Sequence, residues 1–263
     1  MSRVHEHSLR VAKIDVFAQK TKAKLSSATG FWCNFKNQIF FVTNWHVVSG
    51  RNFETNKPVD TKTCALPGEL IIHGHAKQDH ATHQPYELTI DLFDENNQPN
   101  WQEHPQYGSK VDVVAINVNS DKLNGYNIFC VDIDSELEKN VVLNVMDQAF
   151  VTGYPLEAST TPNKFPIYKS GIIASEPMVF NSEPRFYIDG KTKKGYSGSP
   201  VVLKQVTATQ QKAKINGFTH EKLDFVGIYS GRDRQEETEF EAELGIVWPY
   251  KDCLLPILKE ACH

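Results

Sequence analysis

The stretch Gly190-Lys191-Thr192-Lys193-Lys194-Gly195-Tyr196-Ser197-Gly198-Ser199-Pro200 sets a serine between two glycines and closes on a proline. Val201 and Val202 follow, so the turn leads into a buried strand. A serine hydroxyl is a weak nucleophile at neutral pH and needs a base and a pocket that stabilises an anion. Glycine two residues before the serine removes a Cβ, and the backbone can then curl until the amides of Gly195 and Ser197 point at one spot. Taken alone, the stretch also fits an ordinary Gly/Ser turn between strands.

Two further segments shift the balance. Phe40-Phe41-Val42-Thr43-Asn44-Trp45-His46-Val47-Val48 is an apolar strand running into a histidine, which by itself reads as a half-buried core residue. Val111-Asp112-Val113-Val114-Ala115-Ile116 sets an aspartate in an apolar run. An unpaired carboxylate there is costly, so Asp112 needs a partner, and an imidazole N–H suits it. Together the three segments give the chain order His, Asp, Ser.

These motifs, TNWHVV, DVVAI and GYSGSP, resemble those of the chymotrypsin-like (trypsin-like) serine peptidases. Within them the chain is most similar to bacterial trypsin-like peptidases without disulfides, and distantly to the HtrA proteases. The likeness takes in Ala28-Thr29-Gly30-Phe31, Gly153-Tyr154-Pro155, Ile172 to Ser175, Gly227 to Arg232 and Leu244 to Trp248 in the family's order, and so spans nearly the whole chain.

The resemblance implies an all-β fold of two six-stranded antiparallel β-barrels with a C-terminal helix. Residues 1–131 would form the barrel carrying His46 and Asp112, and residues 141–263 the barrel carrying Ser197 and the helix. It also implies a serine endopeptidase working through an acyl-enzyme intermediate on a protein or peptide substrate, with no cofactor and no metal. Ser197 would attack, His46 would move the proton, Asp112 would orient and charge-balance the imidazole, and the amides of Gly195 and Ser197 would hold the oxyanion. The substrate pocket would be walled by Lys191 to Lys194 on one side and Tyr229, Ser230, Gly231 and Arg232 on the other, with Gly245 nearby. No acid stands at Lys191, so selection of Arg or Lys lacks its usual basis. Lys191 or Arg232 in the pocket would favour an acidic side chain, but long cations readily snorkel into solvent, and that reading is preferred. In zymogen-type relatives an aspartate precedes the nucleophile, and here the residue is Tyr196. The usual activation switch is therefore missing, and the oxyanion pocket either forms unaided or is ordered by something else.

Length and composition agree with this. The chain has 263 residues, enough for one large all-β unit or two small barrels sharing an interface. A charged fraction of 23% and a hydrophobic fraction of 40% describe a soluble globular chain. A net charge of −4 without a long basic run argues against nucleic acid or anionic membrane as partner. No stretch approaches the roughly 20 apolar residues of a membrane-spanning helix, and the N-terminus shows no signal-like apolar core. The five cysteines, Cys33, Cys64, Cys130, Cys253 and Cys262, are odd in number and widely spaced, so free thiols and a cytoplasmic setting are expected. Val47 stands where secreted relatives carry a cysteine. A regulatory partner protein is compatible with the resemblance.

Along the chain the alternation of Ala12, Ile14 and Val16 gives a first strand, and Phe31–Phe35 with Ile39–Val42 a hairpin. Leu70–His73, Leu88–Leu92 and Val113–Val118 complete the first half. Asp132–Asn140, polar and without periodicity, reads as the connection between halves. Val141–Val145, Ala149–Thr152, Ile167–Ile173, Arg185–Ile188, Pro200–Leu203, Phe225–Tyr229 and Gly245–Trp248 read as strands. Leu254, Leu255 and Leu258 sit at helical spacing, with Asp252 as a cap and Pro256 making the start irregular. The polar stretch from Glu87 to Lys110 reads as a hairpin arm or loop beside the cleft. His73, His75, His80 and His83 lack an H-E-x-x-H pattern or paired cysteines and read as a solvated loop, not a metal site. Cys33 and Cys64 read as small core residues.

Other functions fit less well. The α/β-hydrolase elbow needs glycine where Ser199 stands and orders its triad Ser, acid, His. A protease fold that binds peptides without turnover has no need of a buried acid beside a histidine. A serine esterase on the same fold is the third alternative.

Overall fold

The computed structural model describes residues 4–77, 83–118, 120–123, 125–155, 165–177, 183–190, 192–204, 223–232 and 244–262. Lys191, His80 and His220 lie outside them. A short helix α1 (Glu6–Arg10) leads into β1 (Val11–Ala18), β2 (Lys24–Phe35) and β3 (Gln38–Thr43), and helix α2 (Trp45–Ser49) follows at once. Strands β4 (Pro67–Lys77), β5 (His83–Asp91), β6 (Val114–Asn117), β7 (Asn127–Ile128) and β8 (Val131–Asp132) come next, then helix α3 (Ile133–Glu138). The second half consists of β9 (Gln148–Gly153), β10 (Ile167–Ile173), β11 (Phe186–Asp189), β12 (Ser199–Lys204), β13 (Leu223–Arg232), β14 (Leu244–Pro249), a π-helical turn over Tyr250–Leu254 and helix α4 (Leu255–Ala261).

Strands β1 to β8 form one eight-stranded sheet whose main path runs β5-β4-β1-β2-β3-β6, while β9 to β14 form a closed six-stranded barrel in the order β10-β11-β14-β13-β12-β9. The barrel is closed by main-chain ladders throughout. The first sheet instead draws its ends together through a loop: Asn100 N–H bonds Leu92 O at 2.9 Å, and Gln102 N–H bonds Ala115 O at 2.8 Å. The β2–β3 hairpin turns on Lys36 and Asn37, both at positive φ (48° and 62°), the two-residue geometry that matches strand twist.

Three apolar clusters hold this together. One fills the first sheet, around Ile14, Trp32, Phe41, Leu70 and Ile72. One fills the barrel, around Val151, Phe186, Ile188, Tyr196, Tyr229 and Val247. The third joins them: Phe31, Phe40, Val42, Val111 and Val113 pack against Ile228, Trp248, Leu254, Ile257 and Leu258. Helix α4 thus belongs to the shared seam. Burial of such side chains contributes roughly 1.5–3 kcal/mol each before cavity effects, so the seam fixes how the two sheets face each other.

Several expectations need correction. Residues 132–140 are not a featureless connection: Asp132 Oδ1 accepts from Ser135 N and starts α3, which buries Ile133 and Glu136. Val141–Val145 is no strand, and Val142 is exposed, because both neighbours of β9 are already taken by β10 and β12. Asp252 does not cap α4; Leu254 stands at the N-cap without a side-chain bond, and Pro256 falls in the first turn, where its missing N–H costs nothing. Cys64 is exposed in a turn at φ 50° and is no core residue, whereas Cys33 is fully buried. His73 and His75 belong to β4 and His83 opens β5, so they lie in paired strands and His75 is buried. Among the described residues no group of three His, Cys, Asp or Glu is placed to hold a metal ion, and no helix is long and apolar enough to cross a membrane.

Candidate active site

Strand β3 ends at Thr43, and Asn44 takes an extended conformation before the chain turns into α2. That abrupt change lifts His46 out of the sheet while Val47 and Val48 return to the core. Gly50, left-handed at φ 68°, ends the helix and donates to His46 O. Asp112 lies just before β6, in a tight turn closed by Val113 N–H to Val111 O at 2.8 Å. Both valines go into the apolar seam and the carboxylate goes the other way.

The buried carboxylate has the donors it requires. Asp112 Oδ1 accepts from His46 N–H at 2.8 Å and Oδ2 lies 2.7 Å from His46 Nδ1. Ser230 Oγ also donates to Oδ2, and Asn44 Nδ2 donates to the Asp112 main-chain oxygen at 2.6 Å. Asp112 has no exposed surface of its own, so these bonds supply the polar partners that burial would otherwise deny its side chain. The two-point grip on His46 fixes the ring with Nδ1 on the carboxylate, and a proton on Nδ1 would leave Nε2 as an acceptor.

Ser197 sits in the turn between Thr192 and β12. Gly195 (φ 104°) and Gly198 (φ 83°) take backbone angles that a side chain would strain. At Gly198 space is also closed: an added Cβ would lie 2.1 Å from Thr29 O and 2.4 Å from Thr43 Oγ1. The turn is pressed directly onto β2 and β3 of the other sheet. Thr29 is the clasp. Its N–H donates to Ser197 O at 2.9 Å, its hydroxyl donates to Gly195 O at 2.7 Å, and that hydroxyl accepts from Tyr154 N–H at 2.9 Å. From the barrel side, Gly198 N–H bonds Tyr229 O at 2.9 Å and the Tyr196 ring is buried in the barrel core. Tyr196 therefore anchors the turn by packing, and burial pushes its phenol up to about 12. Neither Gly195 N–H nor Ser197 N–H has a protein acceptor among the described residues.

The Ser197 hydroxyl faces Ser230 O at 3.5 Å, and among the described residues no hydrogen bond joins it to His46. Ser230 links the two groups from behind, since its side chain bonds Asp112 while its carbonyl lies beside Ser197. His46, Asp112, Ser197 and Ser230 thus form one cluster at the seam between the sheets.

The expected pocket residues divide. Gly231 adjoins Ser197: the only atom an added Cβ would meet is Ser197 Oγ, at 4.0 Å. Ser230 faces Asp112 instead of open space. Tyr229 is buried with its hydroxyl bonded to Thr192 Oγ1, and its ring lies against Gly245. Sequence reasoning did not single out Thr29 or Thr192 by role. The signals were Thr29 within the Ala28–Phe31 motif and Thr192 within the expected pocket wall Lys191 to Lys194.

No protein-family model matches this chain, and no curated protein does. Solved structures do. The active form of the Rv3671c protease from M. tuberculosis is similar over 95% of this chain and 82% of its own, at 16% identity and a TM-score of 0.50. A thermostable serine protease, AL20, from an extremophilic microorganism is similar over 97% of this chain and 98% of its own, at 10% identity and a TM-score of 0.52. Likeness at such identities is likeness of fold. A closed six-stranded barrel, a second sheet that nearly closes, and a short C-terminal helix over their seam give this chain the fold of the chymotrypsin-like serine proteases.

Proposed function

We propose that the chain is a serine endopeptidase in which Ser197, His46 and Asp112 act as a triad across the seam of two units, residues 1–131 and 141–263. The observation that carries this reading is the fully buried Asp112 carboxylate, gripped by His46 at two points and tied by Ser230 to the strand beside the Ser197 hydroxyl. A carboxylate so placed costs stability unless its charge is used or balanced.

In this mechanism the Ser197 proton passes to His46 Nε2 as Oγ bonds the scissile carbonyl carbon. The carbonyl oxygen gains the charge and meets the Gly195 and Ser197 amides, each donor worth roughly 3 kcal/mol in comparable sites. The C–N bond then breaks and the leaving amine takes the proton from His46. Water repeats the sequence on the acyl-enzyme, returning the proton to Ser197. Asp112 keeps the proton on Nδ1 and balances the imidazolium. A substrate main chain would pair here: the β12–β13 ladder ends at Ser199↔Tyr229, so among the described residues no strand pairs with Ser230 to Arg232 on that side.

A second reading, a peptide-binding module or a latent enzyme, draws on the absence of a His46–Ser197 bond among the described residues. Hydrogen bonds of this kind often close only when substrate binds. Proteome-wide cleavage mapping with wild type and Ser197→Ala side by side separates the readings. The proposal expects new peptide termini that vanish in the variant. Identical maps for the two proteins exclude a peptidase, and turnover of esters without any protein cleavage points to an esterase.

A further inference from the structure

Resting on the peptidase reading above, we infer that Tyr229 closes the pocket that would receive the substrate side chain next to the attacked carbonyl, so that cleavage follows only small uncharged residues.

The open edge of Ser230 to Arg232 fixes where a substrate lies. Ser230 O is 3.5 Å from Ser197 Oγ, and Gly231 leaves room in front of the nucleophile. An extended chain paired along this edge directs the side chain of the attacked residue between two walls, the segment entering the nucleophile turn and the β13–β14 ladder. In this molecule those walls are joined. The Tyr229 hydroxyl bonds Thr192 Oγ1, and both residues are almost wholly buried, at 1% and 4% exposure. The Tyr229 ring lies flush on Gly245, where an added Cβ would fall 2.4 Å from Cε2 and 3.1 Å from the hydroxyl. Ile188 and Val247 of the barrel core pack in the same cluster as the ring. The depth available to an aromatic or long aliphatic side chain is thus taken by the protein's own phenol. Lys193 and Lys194 are exposed, and neither they nor Thr192 brings an acid to this wall for a basic side chain.

The test uses the full chain and a fluorogenic peptide library varied at the residue before the scissile bond. Wild type is expected to show kcat/KM for alanine at least about 100-fold above that for phenylalanine, lysine or glutamate, since a filled pocket rejects bulk more strongly than one methylene can be discriminated. Tyr229→Val, which keeps a β-branched strand former, is expected to raise the phenylalanine-to-alanine ratio at least about tenfold. Tyr229→Phe keeps the ring and so keeps the small-residue preference. Comparable wild-type cleavage after phenylalanine or lysine overturns the inference, as does an unchanged ratio in folded Tyr229→Val. The wild-type profile decides the matter even if that variant fails to fold. A fluorophosphonate probe, which carries no such side chain, separates the two levels. Labelled wild type that cuts only after bulky residues, or cuts no library peptide, sinks the pocket inference alone; unlabelled wild type sinks the peptidase reading and this inference with it.

Discussion

Replacing Thr29 by valine removes a single hydroxyl and changes little else. Valine is β-branched and nearly the same size, so β2 keeps its shape and preference. What disappears is the bond to Gly195 O at 2.7 Å and the acceptor for Tyr154 N–H at 2.9 Å. Thr29 is fully buried, and water has no access to replace either bond. An abandoned buried polar group costs about 1–3 kcal/mol, hence about 2–6 kcal/mol for two. At about 2–4 °C per kcal/mol for a chain of this size, the melting temperature should fall by at least about 4 °C. On the proposed mechanism the freed Gly195 carbonyl would also let the Ser197 turn rotate and withdraw an amide from the oxyanion position. Loss of one such donor lowers kcat by about 10²–10³. Thermal melts and steady-state kinetics on an alanine-type ester or peptide read both effects, and the loss should lie in kcat more than in KM. Thr29→Ser restores the hydroxyl and should restore most of each. Wild-type melting and kcat in Thr29→Val would falsify the claim that Thr29 clasps the turn. A lower melting temperature with unchanged kcat would leave Thr29 a purely structural role.

Gly198→Ala places a Cβ at φ 83° within 2.1 Å of Thr29 O. The variant should lose about 3 kcal/mol or more and all probe labelling; near-native denaturant midpoints would show that the turn does not press on β2 as described. His7 is buried, with Nε2 3.2 Å from Thr152 Oγ1, and is pushed down to about 3, first by burial and then by the charges of Arg10 and His5. The unfolded chain therefore binds one more proton between about pH 3 and the ordinary value of 6.5. Stability from this group is complete above that value and is lost as pH falls through the window. His7→Gln should flatten the stability profile there by up to about 1.4 kcal/mol per pH unit at 25 °C. An unaltered slope between wild type and variant means that His7 is not held neutral by the fold.

Much of this was legible in the chain because strong local constraints coincided with global ones. Asp112 between valines announced a buried charge, and the structure supplies the expected imidazole together with Ser230. Alternation marked β1 and β5, whose burial alternates along the strand, whereas the hairpin was marked by two apolar runs flanking Lys36-Asn37-Gln38, since β2 and β3 bury both faces. What remained unread lies between sheets. The Thr29 clasp and the Thr192–Tyr229 bond join residues 166 and 37 positions apart, which no window along the chain can reveal. Helix α3 is six residues long, too short for periodicity, and only its Asp132 cap speaks for it. Residues 141–145 carry a strand-like composition, but both edges of β9, the strand they lead into, are taken by β10 and β12. The strand expected over Leu70–His73 runs on through Gly74 to Lys77 in β4, and that glycine makes room for the Tyr86 ring, whose hydroxyl accepts from Trp32 Nε1 at 2.6 Å.

On the proposed mechanism one hydroxyl is made nucleophilic by groups from two sheets. Intact-mass and peptide mapping after reaction with a fluorophosphonate measures that directly. A single adduct on Ser197 is expected, absent in Ser197→Ala and slowed on the order of 10⁴-fold in His46→Ala. An unmodified wild-type chain, or an adduct on any other residue, contradicts it.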